Sequence, residues 1–327
     1  MPVAASDKLT VYVINVGEGD TTVIRTPGGR VVVIDAVMPD KLVDLLGQIG
    51  LQEGEEIEHF VITHPHRDHF GGASSLLNKY HPRAMTLPPF WHKKGWGPKS
   101  YQTLINTIER QAIPVHFLSG YSRVYLDDLI DVSEAGDPTI KLDAGVGVPC
   151  LEQLGPPNSL IEKIEPKTGF AENHLSVMSR LTWGSFSMVI AADAQMENWA
   201  AFDHEGMLAD SCQVLRSAHH GSKNGTQWER LQRLAPGFVI VSSDPEGRYK
   251  IPDLCGCSAF KEYERYGNFI ALTNATGTIE LSISPNGRYQ AAMFGDGSKE
   301  KVDLSQPTEL TKASNPTKWS DLLSHRL

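Results

Sequence analysis

Short apolar runs rich in β-branched residues, separated by turn residues, make up the first part of the chain. They predict strands over residues 9–16, 21–26 and 30–35, with a hairpin turn at 27–29 between the last two. Residues 41–49 instead place leucine and isoleucine at helical spacing. The chain is therefore predicted to begin as an antiparallel meander followed by a helix.

The remainder of the chain alternates between the same two patterns. Apolar runs predict further strands at residues 59–62, 148–154, 175–182, 186–191, 213–218, 238–242, 269–273 and 278–284. Amphipathic spacing predicts further helices at residues 73–80, 101–110, 196–202, 228–234 and 258–266. This mixture predicts an α+β fold.

Composition is that of an ordinary globular protein. Of the 327 residues, 40% are apolar and 21% are charged, so the chain can bury a large core. We predict one domain over residues 1–298, with insertions near 88–120 and 133–171, and a polar C-terminal tail at 299–327.

Charge and cysteine content narrow the class of protein. The formal net charge of -9 argues against a broad basic face for duplex nucleic acid, but bound dications could still attract a small phosphorylated substrate. Four cysteines in a chain of this length indicate a reducing compartment, and we expect a cytoplasmic protein. Cys255 and Cys257 are too close for a usual zinc knuckle and are interpreted as semi-buried thiols. Neither a signal peptide nor a membrane span is expected.

Candidate chemistry concentrates in residues 63–72, Thr-His-Pro-His-Arg-Asp-His-Phe-Gly-Gly, between a predicted strand and a predicted helix. His64 and His66 can reach one point from an extended turn, and Asp68 and His69 can reach a second point nearby. Imidazole and carboxylate groups are typical ligands of Zn²⁺. The alternative is a polar loop whose histidines cap the helix, but so dense a cluster seldom arises by chance.

Two other predicted strands also end in metal-ligand residue types, at Asp193 and at His219. Strand ends along one edge of a sheet can converge on a single site although they are distant in sequence. Asp193 is then a natural carboxylate to bridge two cations. Taken alone, Asp193 could cap a helix and His219-His220 could be a polar turn, but their shared position at strand ends favours a metal centre.

The loop Trp91–Lys99 combines tryptophans with basic residues. Such a loop suits a substrate-facing lid, because cations and flat rings can hold phosphate and base. An exposed loop with tryptophans packed beneath it is the favoured alternative.

The chain resembles metallo-β-lactamase-fold hydrolases, and among them the soluble hydrolase domain of the ComEC-like competence proteins. The resemblance covers about residues 8–285. It is carried by residues 13–20 (Val-Ile-Asn-Val-Gly-Glu-Gly-Asp), 33–35, 64–72, Asn173 with Ser176, 192–193 and 219–223 (His-His-Gly-Ser-Lys). Weaker matches follow at Tyr249, Pro252, Thr273 and 277–279.

This resemblance implies a four-layer αβ/βα metallo-β-lactamase sandwich with two Zn²⁺, or Mn²⁺, at the edge between two sheets. The implied first metal ligands are His64 and His66, completed by Asn173, by the adjacent His174 or by water. The implied second metal ligands are Asp68, His69 and His219, with Asp193 bridging. Asp68, Asp193 and His220 have the implied catalytic roles. His220, Ser222 and Lys223 are expected to face the substrate, and Asp20 and Asp35 to support the ligands.

The chain departs from the resembled pattern in three places. Glu18 stands where glutamine is common, and Ile251 stands where a histidine is common. The loss of that histidine puts a leaving-group acid at this position in doubt. The membrane channel is absent, so DNA uptake is not implied.

The leading hypothesis is a phosphodiesterase or nuclease-like enzyme that uses a metal-bridging hydroxide. Its expected partner is a small phosphorylated substrate or single-stranded nucleic acid. One alternative keeps the metals but cleaves a lactone, a β-lactam or a phosphocholine ester. The other is a non-catalytic metal-binding regulatory module, against which the intact Asp68 argues. The sequence leaves the oligomeric state open.

Overall fold

The computed structural model describes residues 6–89, 99–127, 147–164, 171–225, 228–244, 246–247, 269–295, 304 and 309–312. The predicted helix at 258–266, most of the Trp91–Lys99 loop and Ile251 lie outside the described residues. Among the described residues, no helix has the length and apolarity needed to cross a bilayer.

The strands, in chain order, are β1 (Leu9–Val13), β2 (Thr22–Arg25), β3 (Val31–Ile34), β4 (Glu56–Ile57), β5 (His59–Val61), β6 (His81–Pro82), β7 (Met85–Leu87), β8 (Val115–Phe117), β9 (Gly120–Tyr125), β10 (Cys150–Gly155), β11 (Met178–Trp183), β12 (Phe186–Ile190), β13 (Val214–Arg216), β14 (Phe238–Val241), β15 (Ile270–Leu272), β16 (Thr278–Ile283), β17 (Tyr289–Phe294) and β18 (Glu309–Lys312). The helices are α1 (Pro39–Gln48), α2 (Arg67–Phe70), α3 (Ala73–Leu77), α4 (Lys99–Gln111), α5 (Asn158–Ile164), α6 (Ala171–His174), α7 (Met196–His204), α8 (Trp228–Leu234) and α9 (Thr273–Thr276). Two 3₁₀ turns follow β13, at Ala218–Gly221 and Lys223–Gly225.

Every strand predicted from the sequence is confirmed, whereas β4, β6, β7, β8, β9, β17 and β18 were not predicted. Strands β8 and β9 carry mostly exposed or half-buried residues, so they show no apolar face that a pattern could reveal. Strand β18 lies within the predicted polar tail and pairs with β17.

The strands form two large sheets. One has the order β18-β17-β16-β1-β2-β3-β5-β7-β8 and the other β15-β14-β13-β12-β11-β10-β9. In each sheet an antiparallel part meets a parallel part: β3, β5, β7 and β8 are parallel in the first, and β12 to β15 in the second. The carboxyl ends of parallel strands lie at one edge, where α/β proteins usually place their sites.

Three apolar clusters separate four layers, and β3 shows why. Val31 and Val33 pack toward the helices α1, α3 and α4, whereas Val32 and Ile34 pack between the two sheets. Side chains alternate across a strand, so a strand buried on both faces must be apolar throughout. On the far side, Val189 of β12 packs against Trp199 and other side chains of α7 and α8. The α+β, four-layer αβ/βα arrangement predicted from the sequence is confirmed.

The central cluster is expected to dominate stability. Leu281 of β16 is fully buried between the sheets. Leu281→Ala should lower the free energy of unfolding by roughly 2–5 kcal/mol, because it removes buried methyl groups and leaves a cavity. Denaturant unfolding measures this change. Gln290→Ala, at an exposed position of the neighbouring β17, is the control and should change it by less than about 0.5 kcal/mol. Equal effects of the two substitutions would contradict the assigned core.

Candidate metal centre

The site forms where strand ends from both sheets meet. Asp35 follows β3, residues 63–69 follow β5, Asp193 follows β12, and His219 and His220 follow β13. Backbone hydrogen bonds join these loops: Val177 N donates to Thr63 O across the two sheets at 3.0 Å, and His219 N donates to Ala192 O at 2.8 Å. The fold thereby brings together residues separated by more than a hundred positions.

Asp193 lies at the centre of the cluster. One carboxylate oxygen, Oδ1, is 3.2 Å from His69 Nε2 and 3.4 Å from His220 Nε2. The other, Oδ2, is 3.5 Å from His64 Nε2 and 3.7 Å from His219 Nε2. The two oxygens therefore face two different pairs of imidazoles, which is the arrangement of a carboxylate that bridges two cations.

Two further residues extend these pairs. His66 Nδ1 lies 3.1 Å from His64 Nε2, on the side of the first pair. Asp68 Oδ2 lies 3.7 Å from His220 Nε2, on the side of the second pair. Ligand atoms of Asp68, His69 and His220 fall within 4.8 Å of one another, as do those of His64, His69 and Asp193.

The donor set fits metal cations. His69 Nε2, His220 Nε2 and Asp193 Oδ1 are buried and make no hydrogen bond. Unsatisfied buried polar atoms are costly, and three of them converging in one place call for a common partner. Imidazole nitrogens and carboxylate oxygens are ligands of Zn²⁺, of manganese and of non-haem iron. The residues present therefore fit a pair of such cations.

The electrostatics of the cluster agree with this fit. Burial opposes ionisation of Asp193, but His220 and His69 hold the pKa of its carboxyl well below the usual range. Burial alone would lower the pKa of His220, yet Asp193, Asp20 and Asp68 raise it to about 10. In contrast, burial and the neighbouring His69 lower the pKa of His64 to about 3. The carboxylates create a negative field that protons or metal cations can balance, and metal binding would release such protons.

Each histidine also has a polar partner on the ring nitrogen that faces away from the centre. The hydrogen-bonded pairs are His64 Nδ1 with Thr63 Oγ1 (3.1 Å), His66 Nε2 with Glu172 Oε2 (3.0 Å), His69 Nδ1 with Asp35 Oδ2 (2.7 Å) and His219 Nδ1 with Asn224 Oδ1 (2.7 Å). His220 Nδ1 faces Asp20 Oδ1 at 3.5 Å without a hydrogen bond. Such partners fix the ring tautomer and direct the other nitrogen toward a metal. Asp35 also accepts hydrogen bonds from Thr63 N and Oγ1, both at 2.8 Å.

A buried ion pair supports the His220 side. Arg216 of β13 is 1% exposed and bonds Asp20 Oδ1 at 2.7 Å, Thr22 Oγ1 at 2.6 Å and Ser242 Oγ at 2.8 Å. Despite burial, Arg216 lowers the pKa of the Asp20 carboxyl. The loop that carries Asp20 requires glycine at position 19, because a Cβ there would lie 2.8 Å from the carbonyl oxygen of Asp68. This contact explains the second glycine of the Gly-x-Gly-Asp pattern, and the first, Gly17, has a φ of 74°.

The backbone at the strand ends is strained. Asp35, Ala192, His219 and His220 all have positive φ, between 46° and 57°. For residues other than glycine this conformation costs of order 1–3 kcal/mol each and persists where the surrounding structure enforces it. Here it turns each chain sharply after its strand, so that the side chains point back toward the cluster.

The site residues predicted from the sequence meet here, but the structure divides them between the two ligand groups differently from the resemblance. The resemblance placed His219 with Asp68 and His69, whereas the structure places His220 beside Asp68 and His219 on the side of His64. The resemblance offered Asn173 or His174 as a further ligand of the first metal. Of these two, Asn173 lies near the cluster, with its Nδ2 3.3 Å from His219 Nε2. His174 instead faces Glu197 at 3.3 Å.

Other predicted positions are less involved in the cluster. Ser222 is half-buried and Lys223 is exposed, on the turn that follows His220. Sequence reasoning missed the outer partners Thr63, Glu172, Asn224 and Arg216. Only Arg216 left a signal, as a charged residue inside an apolar strand. The others are polar loop residues whose importance depends on what the fold brings next to them.

Comparisons with known proteins agree with the fold described above. Residues 14–139 match the family model described as "Metallo-beta-lactamase superfamily". Recombination protein 2 of Haemophilus influenzae is 21% identical over 232 residues, covering 71% of this chain and 23% of that protein. ComE operon protein 3 of Bacillus subtilis is 21% identical over 231 residues, covering 69% of this chain and 24% of that protein. The chain thus spans about a quarter of the length of these curated relatives.

Among solved structures, a mutant of the CmlA β-hydroxylase superposes with a TM-score of 0.50 at 13% identity, covering 86% of this chain and 55% of that chain. At this identity the likeness concerns the fold alone. The family match over residues 14–139 and the four-layer architecture show the metallo-β-lactamase fold, and the weak similarity to the two relatives supports a relation to the ComEC-like proteins.

Proposed function

We propose that this protein is a dinuclear metal-dependent hydrolase of phosphodiesters. The observation that carries the proposal is the position of Asp193, whose two oxygens face separate groups of imidazole ligands. A carboxylate between two cations is typical of hydrolytic centres, including phosphatases and nucleases. The proposed substrate is a small phosphorylated compound or single-stranded nucleic acid.

Each cation has its own proposed ligand group. His64 Nε2, His66 Nδ1 and His219 Nε2 would hold the first, and Asp68, His69 Nε2 and His220 Nε2 the second. Zn²⁺ is the proposed metal, with Mn²⁺ as the other choice. When bound, such a pair lowers the pKa of a shared water and stabilises negative charge in the transition state.

The chain itself supplies order and charge around these groups. Arg216 holds Asp20, Asp20 faces His220, and Asp35 fixes His69, so the buried side of the site is rigid. We propose that His220 binds metal rather than facing the substrate, because both of its nitrogens face carboxylates inside the cluster. Exposed Lys223, three residues further on, is proposed to attract the substrate phosphate.

Two considerations support a phosphodiester over other bonds. One relative is named as a recombination protein, which points toward nucleic acid. The net charge of -9 disfavours a broad duplex-binding face and so favours small or single-stranded substrates. Cys150 and Cys212 are free and buried, which agrees with the proposed reducing, cytoplasmic location.

Purified protein is expected to contain about two metal ions per chain, as the two ligand groups require. Inductively coupled plasma mass spectrometry should measure zinc, manganese and iron, since imidazole and carboxylate ligands suit all three. Chelation should abolish hydrolysis of bis-p-nitrophenyl phosphate, and Zn²⁺ or Mn²⁺ should restore it. Single-stranded DNA and nitrocefin complete the panel. Turnover of nitrocefin alone would reject the phosphodiester proposal, and absence of metal would reject the centre.

Removing either central carboxylate should abolish activity. Asp193→Ala and Asp68→Ala are each expected to lower kcat/KM for the diester by more than about 100-fold. A loss of this size exceeds the one usually caused by removing a residue that only supports a metal ligand. Asp203→Ala is a suitable control, since Asp203 is a half-exposed carboxylate of α7 paired with arginines away from the site. Wild-type rates in Asp193→Ala would show that hydrolysis takes place elsewhere.

Double variants can test which histidine serves which ion. With the proposed division, Asp68→Ala combined with His220→Ala affects one ligand group, so the double variant should keep about one ion per chain. Asp68→Ala combined with His219→Ala affects both groups and should lose both ions under limiting metal. Metal content after dialysis provides the readout. The opposite result would restore the division that the resemblance implied.

A further inference from the structure

The short helix α6 (Ala171–His174) connects the metal cluster to the rest of the second sheet. Three consecutive residues of this helix contact different partners. The Glu172 side chain contacts His66, and the Asn173 side chain contacts His219. The His174 carbonyl accepts a hydrogen bond from Asn198 of α7 at 2.8 Å. The backbone beyond it is fixed as well, because Val177 N donates to Thr63 O. Glu172 therefore has a defined position beside the site.

The contact between Glu172 and His66 determines how the imidazole is used. His66 Nε2 lies 3.0 Å from Glu172 Oε2, and His66 Nδ1 faces His64 Nε2 at 3.1 Å. A carboxylate can only accept a hydrogen bond, so Nε2 carries the hydrogen and donates it to Glu172. The lone pair of a neutral ring is then on Nδ1, which faces the cluster. Glu172 thus acts on His66 as Asp35 acts on His69.

Exposure distinguishes this pair from the two buried carboxylate–histidine pairs, Asp35 with His69 and Asp20 with His220. Asp35 and Asp20 are 1% and 3% exposed, and the rings that they support are buried. By contrast, the side chains of His66 and Glu172 are 33% and 39% exposed. The surrounding packing therefore restrains the His66 ring less than the buried rings. Its orientation depends more strongly on the single hydrogen bond to Glu172.

We propose that Glu172 is the positioning residue of His66 and thereby sets the affinity of the first metal position. This inference rests on the proposed dinuclear function, and it concerns one side of the centre only. Loss of a supporting carboxylate typically weakens metal binding by 10- to 100-fold. The second position, supported by the buried Asp20 and Asp35, should keep its affinity.

The test compares Glu172→Ala, Glu172→Gln and Glu172→Asp with wild type in Zn²⁺ titrations against a competing chromophoric chelator. Glu172→Ala should weaken one of the two binding events by about 10- to 100-fold. Glu172→Gln should have a smaller effect, since an amide oxygen still accepts the hydrogen bond without the charge. Glu172→Asp should recover part of the affinity. Visible absorption of the Co²⁺-loaded protein should change for one ion only.

Glu197→Gln is the matched control. Glu197 also faces a histidine at 3.3 Å, but that residue is His174, which is turned away from the cluster. This variant should bind both ions as wild type does. The double variant Glu172→Ala with Asp68→Ala should lose both ions at limiting metal, whereas Glu172→Ala with His64→Ala should still keep one.

Each other outcome has a definite meaning. If the wild type binds two ions and Glu172→Ala binds them with unchanged affinities, this inference is wrong and the proposed function stands. Wild type without metal would overturn both. Weakening of both ions, or an equal effect of Glu197→Gln, would show a general structural role and would also reject the proposal. Circular dichroism of the metal-free variants identifies any that fail to fold, and Glu172→Gln then decides the question.

Discussion

The structure depends on a buried carboxylate, Asp193, surrounded by imidazoles. A carboxylate that is 1% exposed cannot remain ionised unless positive charge compensates it. The fold places His64 and His219 on one side of this group and His69 and His220 on the other. Two cations would satisfy the carboxylate and the unpaired ring nitrogens at once. This requirement for compensation explains why so many titratable side chains gather where the strand ends of the two sheets meet.

The rest of the site serves to hold these groups in place. The carboxyl ends of β5 in one sheet and of β12 and β13 in the other meet at the site, and positive φ at Ala192, His219 and His220 turns the chain back over it. Strain of this kind is tolerated where packing on both sides enforces it. The apolar cluster between the two sheets provides that packing. The packed apolar cluster thus holds the backbone conformation of the loops that carry the site residues.

The outer partners divide the centre into a rigid side and an open side. Asp35, Asp20 and Arg216 are buried. Asp35 bonds His69, and Arg216 bonds Asp20, which faces His220, so these two rings have little freedom. The side chains of His66 and Glu172 are 33% and 39% exposed, so they are packed less closely than these buried groups. The same exposure makes the His66 side the more sensitive to its supporting carboxylate.

The sequence by itself determined the strands and helices with a strong apolar pattern and the local His64 to His69 motif. It also determined that Asp193 and the His219-His220 pair stand at strand ends, because periodicity shows where a buried strand stops. Exposed strands such as β8 and β9 carried no such pattern and were not predicted.

Only the tertiary structure decided which groups face each other. Adjacent histidines at 219 and 220 look alike in sequence, but with positive φ at both, the ring of His219 faces the Asp193 oxygen that His64 also faces, and the ring of His220 faces Asp68. Glu172 and Asn224 are ordinary loop residues until folding brings them against His66 and His219. Ligand identity is a local property of residue type, whereas ligand pairing depends on chain directions that are set across two packed sheets.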